Sequence, residues 1–260
     1  MAFSDIVEET HQRVAQDKQK FPFELIRNET LFPTQADNFE AAFKSNQTNI
    51  ITEIKYGSPS RGKIFDPAII SPNEVASAYV SNGAIALSIL TEPNYFHGSY
   101  DYITSVRRAH PNIPIIMKDF YLDPYQIYLA RYLGASIALL VVRYLDEEQL
   151  KDFYAITLEL GLSALVEVHD VAELEIASKI GCKVMGVNNR NLQTMAIDLA
   201  VGKDLAPHFP ADIIKVCESG IFERAEIDEF SALGYDGFLI GTSLMMDGRP
   251  GEALNELVRP

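Results

Sequence analysis

At 260 residues the chain is long for an average domain and normal for one α/β barrel. A hydrophobic fraction of 47% is enough for a large core and too high for a disordered chain. A formal charge of −14 repels nucleic acid and anionic membrane, so neither is an expected partner, and any anionic substrate must meet the few lysines and arginines concentrated in one place.

Residues 4–20 read as a helix, with Ser4 as its cap, Glu8 near the capping-box position and a thin apolar stripe of Ile6, Val7 and Val14. Pro22 ends it. A second short helix is expected over Asn38–Lys44, where Phe39 and Phe43 stand at i, i+4 spacing. Together they form an N-terminal helical extension over residues 1–48. From residue 49 the pattern is regular. Strand-like runs fall at 49–56, 85–91, 113–119, 137–143, 163–169, 183–189, 213–218 and 237–241. Amphipathic stretches between them include 73–81, 124–133, 147–160, 172–180 and 223–233. Gly83, Gly134, Gly161, Gly181 and Gly234 stand where helices close in the left-handed conformation, and Ser71-Pro72 and Asp123-Pro124 mark helix starts. Eight strand–helix units predict a (β/α)8 barrel, class α/β, over 49–260, within one domain spanning 1–260. No GxGxxG follows a strand, which argues against a dinucleotide fold.

Cys182 and Cys217 form no CxxC pattern, and His11, His97, His110, His169 and His208 show no HExxH spacing. No metal or other cofactor is expected, and the cysteines fit a reducing cytoplasm. The first residues lack the basic and apolar regions of a leader, and no apolar run approaches the roughly 18 residues of a membrane span.

In such a barrel the C-terminal strand ends carry the chemistry. The first run, Ile50-Ile51-Thr52-Glu53-Ile54-Lys55, puts an acid and a base on one face of an apolar strand and leads into Tyr56-Gly57-Ser58-Pro59-Ser60-Arg61-Gly62. Burying either charge alone costs several kcal/mol. Later strand ends contribute Lys118 with Asp119, Arg143, Glu167 with His169, Asn188 with Asn189 and Arg190, and Glu218 with Ser219. Charges at the same end of so many strands converge on one rim, as functional charges do. Turns at Ser219-Gly220-Ile221 and Gly241-Thr242-Ser243, after strands seven and eight, fit a phosphate site, with Ser58 and Ser60 able to close it. The first loop, about fifteen residues long, exceeds the usual connection and suggests a lid. Cys217 reads as a small buried thiol; His169 suits a general acid or base and equally a supporting hydrogen bond.

These motifs resemble those of indole-3-glycerol phosphate synthases. The matching segments are Glu53-Ile54-Lys55 with Ser58-Pro59-Ser60-Arg61-Gly62, Ser88-Ile89-Leu90-Thr91-Glu92 with Tyr95-Phe96, Met117-Lys118-Asp119-Phe120 with Asp123-Pro124-Tyr125-Gln126, Leu165-Val166-Glu167-Val168, Gly186-Val187-Asn188-Asn189-Arg190-Asn191-Leu192, Glu218-Ser219-Gly220-Ile221 and Phe238-Leu239-Ile240-Gly241. The resemblance runs in register over essentially the whole chain. It implies ring closure, decarboxylation and dehydration of an anilino-deoxyribulose phosphate. It also implies residue roles: Lys118 as the acid for ring closure, Glu167 and Lys55 as the acid/base pair of the dehydration, with either lysine open as the donor to the departing hydroxyl, and Glu53 as the carboxylate that steadies a cationic intermediate and orients a lysine. Asn188 would hold substrate hydroxyls, Arg190 anchor the carboxylate side, and Glu218 act as a supporting acid. Ser58, Ser219, Gly220, Gly241 and Thr242 correspond to the phosphate site, and Phe96, Phe120, Leu139 and Leu192 to the apolar contacts of the aromatic ring. A general acid at neutral pH suggests a Lys118 pKa drawn down towards ~7–8 by burial and by Lys55.

Departures from the family are few. Tyr56-Gly57 replaces a basic and a small residue, Thr242 a frequent serine, and Cys217 a small residue. The end at Pro260, with no second barrel, suggests a monofunctional enzyme. The expected protein is a cytoplasmic monomer that binds a small substrate carrying phosphate and carboxylate. Rival readings are another phosphate-binding barrel, such as a phosphoribosylanthranilate isomerase, and a non-catalytic barrel subunit; the filled rim positions speak against both.

Overall fold

The computed structural model describes residues 3–32 and 39–259. Its centre is a closed barrel of eight parallel strands: β1 (Ile50–Ile54), β2 (Ala86–Leu90), β3 (Ile115–Lys118), β4 (Ile137–Val141), β5 (Ser163–Val168), β6 (Val184–Asn188), β7 (Ile214–Glu218) and β8 (Gly237–Ile240). Each strand pairs with the next in the chain, and β1 closes the ring by pairing with both β2 (Ile51 beside Ala86) and β8 (Ile51 beside Leu239). Every residue of β1, β2, β4, β5, β6 and β8 is buried. A parallel strand lies between the barrel interior and a helix, so both faces must be apolar or paired. All eight strands fall inside the runs read from the sequence, shortened where the backbone leaves the hydrogen-bond ladder.

The helices between strands follow their local chemistry. Ser71 caps Pro72–Ser81 in a reciprocal capping box with Glu74, and Asp146 does the same for Glu147–Glu159 with Gln149. Asp170 caps Val171–Lys179. The five glycines expected to close helices all take positive φ. Between β2 and β3 lie two helices that the sequence reading does not single out, Pro93–Phe96 and Tyr100–Ala109. The first is a single turn made possible by Glu92, whose carboxylate accepts the N–H groups of Asn94, Tyr95 and Phe96. Ala200–Leu205 likewise adds helix beyond the sequence reading, while Thr242–Met245 follows the turn after β8 and Pro250–Val258 is the eighth helix of the barrel.

The first helix spans Phe3–Lys20, which places Ser4 within it rather than ahead of it; a short helix, Phe23–Asn28, follows Pro22. The expected helix 38–44 is seen as Phe39–Ala42, with Asn38 outside the described residues and Phe39 and Phe43 in edge contact at 5.2 Å. The extension packs on the barrel mouth. Arg13 pairs with the buried Asp119 and donates to Tyr100 Oη at 2.6 Å; Tyr100 donates to Asp17 at 2.7 Å. Lys18 pairs with Asp123 at 2.6 Å, and Glu9 accepts from Tyr95 and Asn94. Among the described residues no helix is long and apolar enough to cross a membrane.

Candidate active site

The interior faces of the strands deliver their last polar side chains to one pocket at the C-terminal mouth. Glu53, Lys55, Lys118, Glu167, Asn188 and Glu218 all line it. The period-two rule put these side chains on one face of each strand, and closing the ring turned those faces inward. Lys118 is the hub. Its Nζ lies 2.8 Å from Glu167 Oε2 and 2.9 Å from Glu218 Oε2. Asn188 Nδ2 donates to the other Glu167 oxygen at 3.0 Å, and Lys55 pairs with Glu53 at 2.6 Å.

Two small residues make room for these acids. A Cβ on Gly186 would run into Glu218 Oε1, and one on Gly241 would run into Glu53. Glu218 Oε1 is buried and accepts no hydrogen bond from the described residues.

The charges do not balance. Burial alone would lower the Lys118 pKa, but Glu167, Glu218 and Glu53 outweigh it and raise the ammonium above the ordinary lysine value. This corrects the sequence expectation of a depressed Lys118: the number of carboxylates around the amine decides the sign, and that number depends on the fold. Burial would raise Glu167, yet Lys118 and His169 hold it well below the ordinary carboxylate range. Burial, helped by Glu167, raises Glu218 against the opposing pull of Lys118. The hub thus holds a firmly protonated lysine, a firmly ionised glutamate and a glutamate inclined to keep its proton.

At one end of the pocket the chain turns sharply at Ser219 (φ 64°) and Gly220 (φ 89°), two consecutive left-handed residues after β7. Asn189 buckles the turn from below. Its Nδ2 donates to the Glu218 and Ser219 carbonyls at 3.1 Å each, and its Oδ1 accepts the Gly202 N–H at 2.9 Å. Ser243 Oγ donates to the Ile221 carbonyl at 2.9 Å and so joins this turn to the one after β8. Gly241 and Thr242 open the short helix there, and Ser58 faces the same pocket. Arg190 donates to Ser60 Oγ at 3.4 Å and to the Met195 carbonyl at 2.8 Å, on the first-loop side. Burial lowers its pKa, with Glu53 opposing and Arg61 adding to the shift.

The opposite wall is aromatic and apolar. Phe96 and Phe120 meet at a tilt with ring centres 6.2 Å apart, Phe120 meets Tyr144 edge-on at 5.4 Å, and Leu139 and Leu192 complete the surface. Sequence reasoning missed Tyr144 and Ile6. The first sits in a single 3₁₀ turn, Val142–Tyr144, and the second reaches the pocket from the N-terminal helix. The buried stripe of Ile6 and Val14 was its signal, but a stripe does not say what it packs against.

Not every rim charge named from the sequence is offered to the pocket. Arg143 turns outward in that 3₁₀ turn and pairs with Glu173 at 2.6 Å and Asp170 at 2.8 Å. Asp119 borders the pocket, but its carboxylate is taken up by Arg13 of the N-terminal helix, and His169 lies behind Glu167. Cys217 is buried, its thiol pushed up to about 12 by that burial, as suits a packing role. The long first loop carries a small hairpin, Gly57–Ser58 with Gly62–Lys63. Tyr56, buried at its root, donates to the Ile70 carbonyl at 2.9 Å and stacks edge-on against Tyr102, while Gly57 leaves room for the His97 ring.

A family model described as indole-3-glycerol phosphate synthase matches residues 3–257. Relatives with that same description include one from Carboxydothermus hydrogenoformans, 39% identical over 266 residues and covering 99% of this chain and 100% of its own. One from Variovorax paradoxus is 38% identical and covers 95% of both chains; one from Chlorobium chlorochromatii is 44% identical over 80% of each. Among solved structures, 3-hexulose-6-phosphate synthase from Salmonella typhimurium superimposes with a TM-score of 0.64 at 11% identity, over 81% of this chain and 96% of that one. A tryptophan synthase structure from Pyrococcus furiosus gives 0.60 at 16%, over 83% and 98%. At such identities the structural matches speak for the barrel alone.

Proposed function

The chain belongs to the indole-3-glycerol phosphate synthase family, and from that premise we propose how its residues divide the reaction. The enzyme converts 1-(2-carboxyphenylamino)-1-deoxy-D-ribulose 5-phosphate to indole-3-glycerol phosphate, CO₂ and water, in tryptophan biosynthesis. Three events are needed: a ring carbon attacks the ketone, CO₂ leaves, and water leaves.

Lys118 is the acid of the first event. Its raised pKa guarantees a proton to give, and attack on the ketone creates an alkoxide basic enough to take it. Loss of CO₂ returns its bonding electrons to the ring. Dehydration then needs a base for a carbon-bound proton and an acid for the departing hydroxyl, the roles of Glu167 and Lys55. Glu167 is a poor base while Lys118 is charged beside it. Once Lys118 has given up its proton, that charge is gone and the basicity of Glu167 rises, so the first step prepares the third. Glu53 faces the cationic intermediate and holds Lys55; Asn188 holds substrate hydroxyls; Glu218, inclined to stay protonated, supports Lys118.

The phosphate docks on the backbone N–H groups at Ser219–Gly220 and Gly241–Thr242, with Ser58 across from them. Arg190, beside Ser60, supplies fixed positive charge to the substrate's anionic groups. The aromatic ring lies on Phe96, Phe120, Leu139 and Leu192. The small phosphorylated substrate thus finds its cations at a few points of an acidic protein. Two buried free cysteines suit a cytoplasmic enzyme, and a site built wholly from one chain suits a monomer.

The observation that carries this reading is the Lys118 ammonium at the pocket, held between the Glu167 and Glu218 carboxylates at 2.8 and 2.9 Å. Single turnover of Glu167→Gln tests it. CO₂ should be released without indole fluorescence, because only the dehydration lacks its base. Indole appearing at the wild-type rate refutes the assignment.

A further inference from the structure

Behind Glu167, away from the pocket, a line of paired charges runs outward. The His169 side chain is 4% exposed. Its Nε2 lies 3.3 Å from Glu167 Oε1, an ion-pair contact outside hydrogen-bond alignment, and its Nδ1 lies 3.1 Å from Glu173 Oε2. Glu173 Oε2 also accepts the His169 backbone N–H at 2.8 Å, and Glu173 Oε1 accepts from Arg143 Nε at 2.6 Å. Arg143 in turn pairs with Asp170, whose other oxygen caps the helix that carries Glu173. Nothing in the acid–base scheme above uses this line. Fold stability alone does not ask for it: replacing buried ion pairs by apolar side chains is often neutral or better.

We propose that His169 is a positioning residue that, as an imidazolium clamped between two carboxylates, keeps Glu167 ionised and aimed at Asn188 and Lys118. The proposal rests on the reading of Glu167 as the base. Both ring nitrogens face carboxylates, and a neutral imidazole carries only one N–H, so the doubly protonated ring is the form that fits. Burial would lower the His169 pKa, but Glu167 and Glu173 outweigh it and raise it to about 9. The other groups around the pair are Lys118 from β3, Glu218 from β7, Asn188 from β6 and the Tyr144 phenol with Arg143 from the turn after β4. Every Glu167 oxygen then has a named holder: Lys118 on Oε2, Asn188 and His169 on Oε1. When Lys118 passes its proton to substrate, His169 remains as the charge that keeps Glu167 a carboxylate in the same orientation.

The test is the pH profile of kcat in His169→Gln and Glu173→Gln beside wild type, with Glu167→Gln as the control on the base itself. His169→Gln removes the charge beside Glu167, so the acid limb should move up by about 1 unit or more. KM should stay near wild type because His169 does not line the pocket. Glu173→Gln removes one of the two carboxylates that hold the imidazolium. Its alkaline limb should fall to lower pH while its acid limb stays in place, since His169 is still charged there. Thermal melting of each variant confirms that folded protein is compared. An unmoved acid limb in His169→Gln, with Glu167→Gln unable to form indole, overturns the proposal and leaves the base assignment standing. Indole formation by Glu167→Gln at the wild-type rate overturns both.

Discussion

Lys118 and Asp119 are neighbours in the chain at the end of β3, yet they belong to two charge clusters of opposite character. Asp119 is closed. Its oxygens accept from Arg13, from Thr91 and from the Phe120 N–H, and Arg13 is occupied in turn by Tyr100. Lys118 is open. It faces two carboxylates, one Glu218 oxygen has no hydrogen-bond partner among the described residues, and the whole group borders the pocket. A cluster that completes its own pairing holds structure together; a cluster left with an excess of one sign is ready for something that is not yet there. One residue's step at the strand end separates the two: the Lys118 ammonium meets the two glutamates, and the Asp119 carboxylate meets Arg13 and Thr91.

That contrast is open to attack from both sides. The largest effect should come from Lys118→Met, which keeps the bulk and removes the proton. Turnover should fall by roughly 10²–10⁴ or more, while the melting temperature falls less than in Arg13→Met, since Glu167 keeps His169 beside it and Glu218 can take up a proton. Lys55→Met should instead slow a later step and let an intermediate accumulate in single-turnover traces; indistinguishable defects in the two variants would leave the division of labour unsupported. Arg13→Met should do the reverse of Lys118→Met. It strands a buried Asp119 and should cost about 3 kcal/mol of stability in denaturant titration, with a smaller loss of turnover than Lys118→Met. Equal melting curves for Arg13→Met and wild type would erase the distinction between closed and open clusters.

Gly186→Ala probes the open cluster without touching a charge. The new methyl must displace the Glu218 carboxylate, so kcat should fall by up to about 10²-fold with KM little changed. The smallest effect is on stability against pH. The folded His169 pKa is raised from 6.5 to about 9, so its contribution is fully present below pH 6.5 and is lost as pH rises through about 9. Melting temperature should therefore decline more steeply between pH 7 and 10 in wild type than in His169→Gln, as calorimetry can read directly.

How much of this was legible in the sequence depended on whether a residue sat on a regular strand. Glu53, Lys118, Glu167, Asn188 and Glu218 lie within strands, where a period of two fixes the facing, and all reach the pocket. Arg143 was read as part of a strand that in fact ends at Val141; the 3₁₀ turn that follows rotates it outward. His169 keeps the face of Glu167 but lies one residue past β5, close enough to the cap at Asp170 for Glu173 to draw it back. Ile6 belongs to the pocket only through docking of a helix distant in sequence, which no local pattern encodes. The Lys118 pKa failed for the same reason, because its sign is a sum over strands.

The clamp between Arg13 and Asp119 also dictates an order of assembly. The two residues are 106 positions apart, and Lys18 waits for Asp123 across a similar gap. Chains are made from the N-terminus, so the helix that covers the mouth leaves the ribosome before the barrel does and finds none of these partners until β3 has followed it. Closing so long a span costs chain entropy that only the finished contacts return. This helix, made ahead of the barrel, is therefore among the last elements to take its place, and the pocket wall that Ile6 provides is complete only when the barrel beneath it already exists.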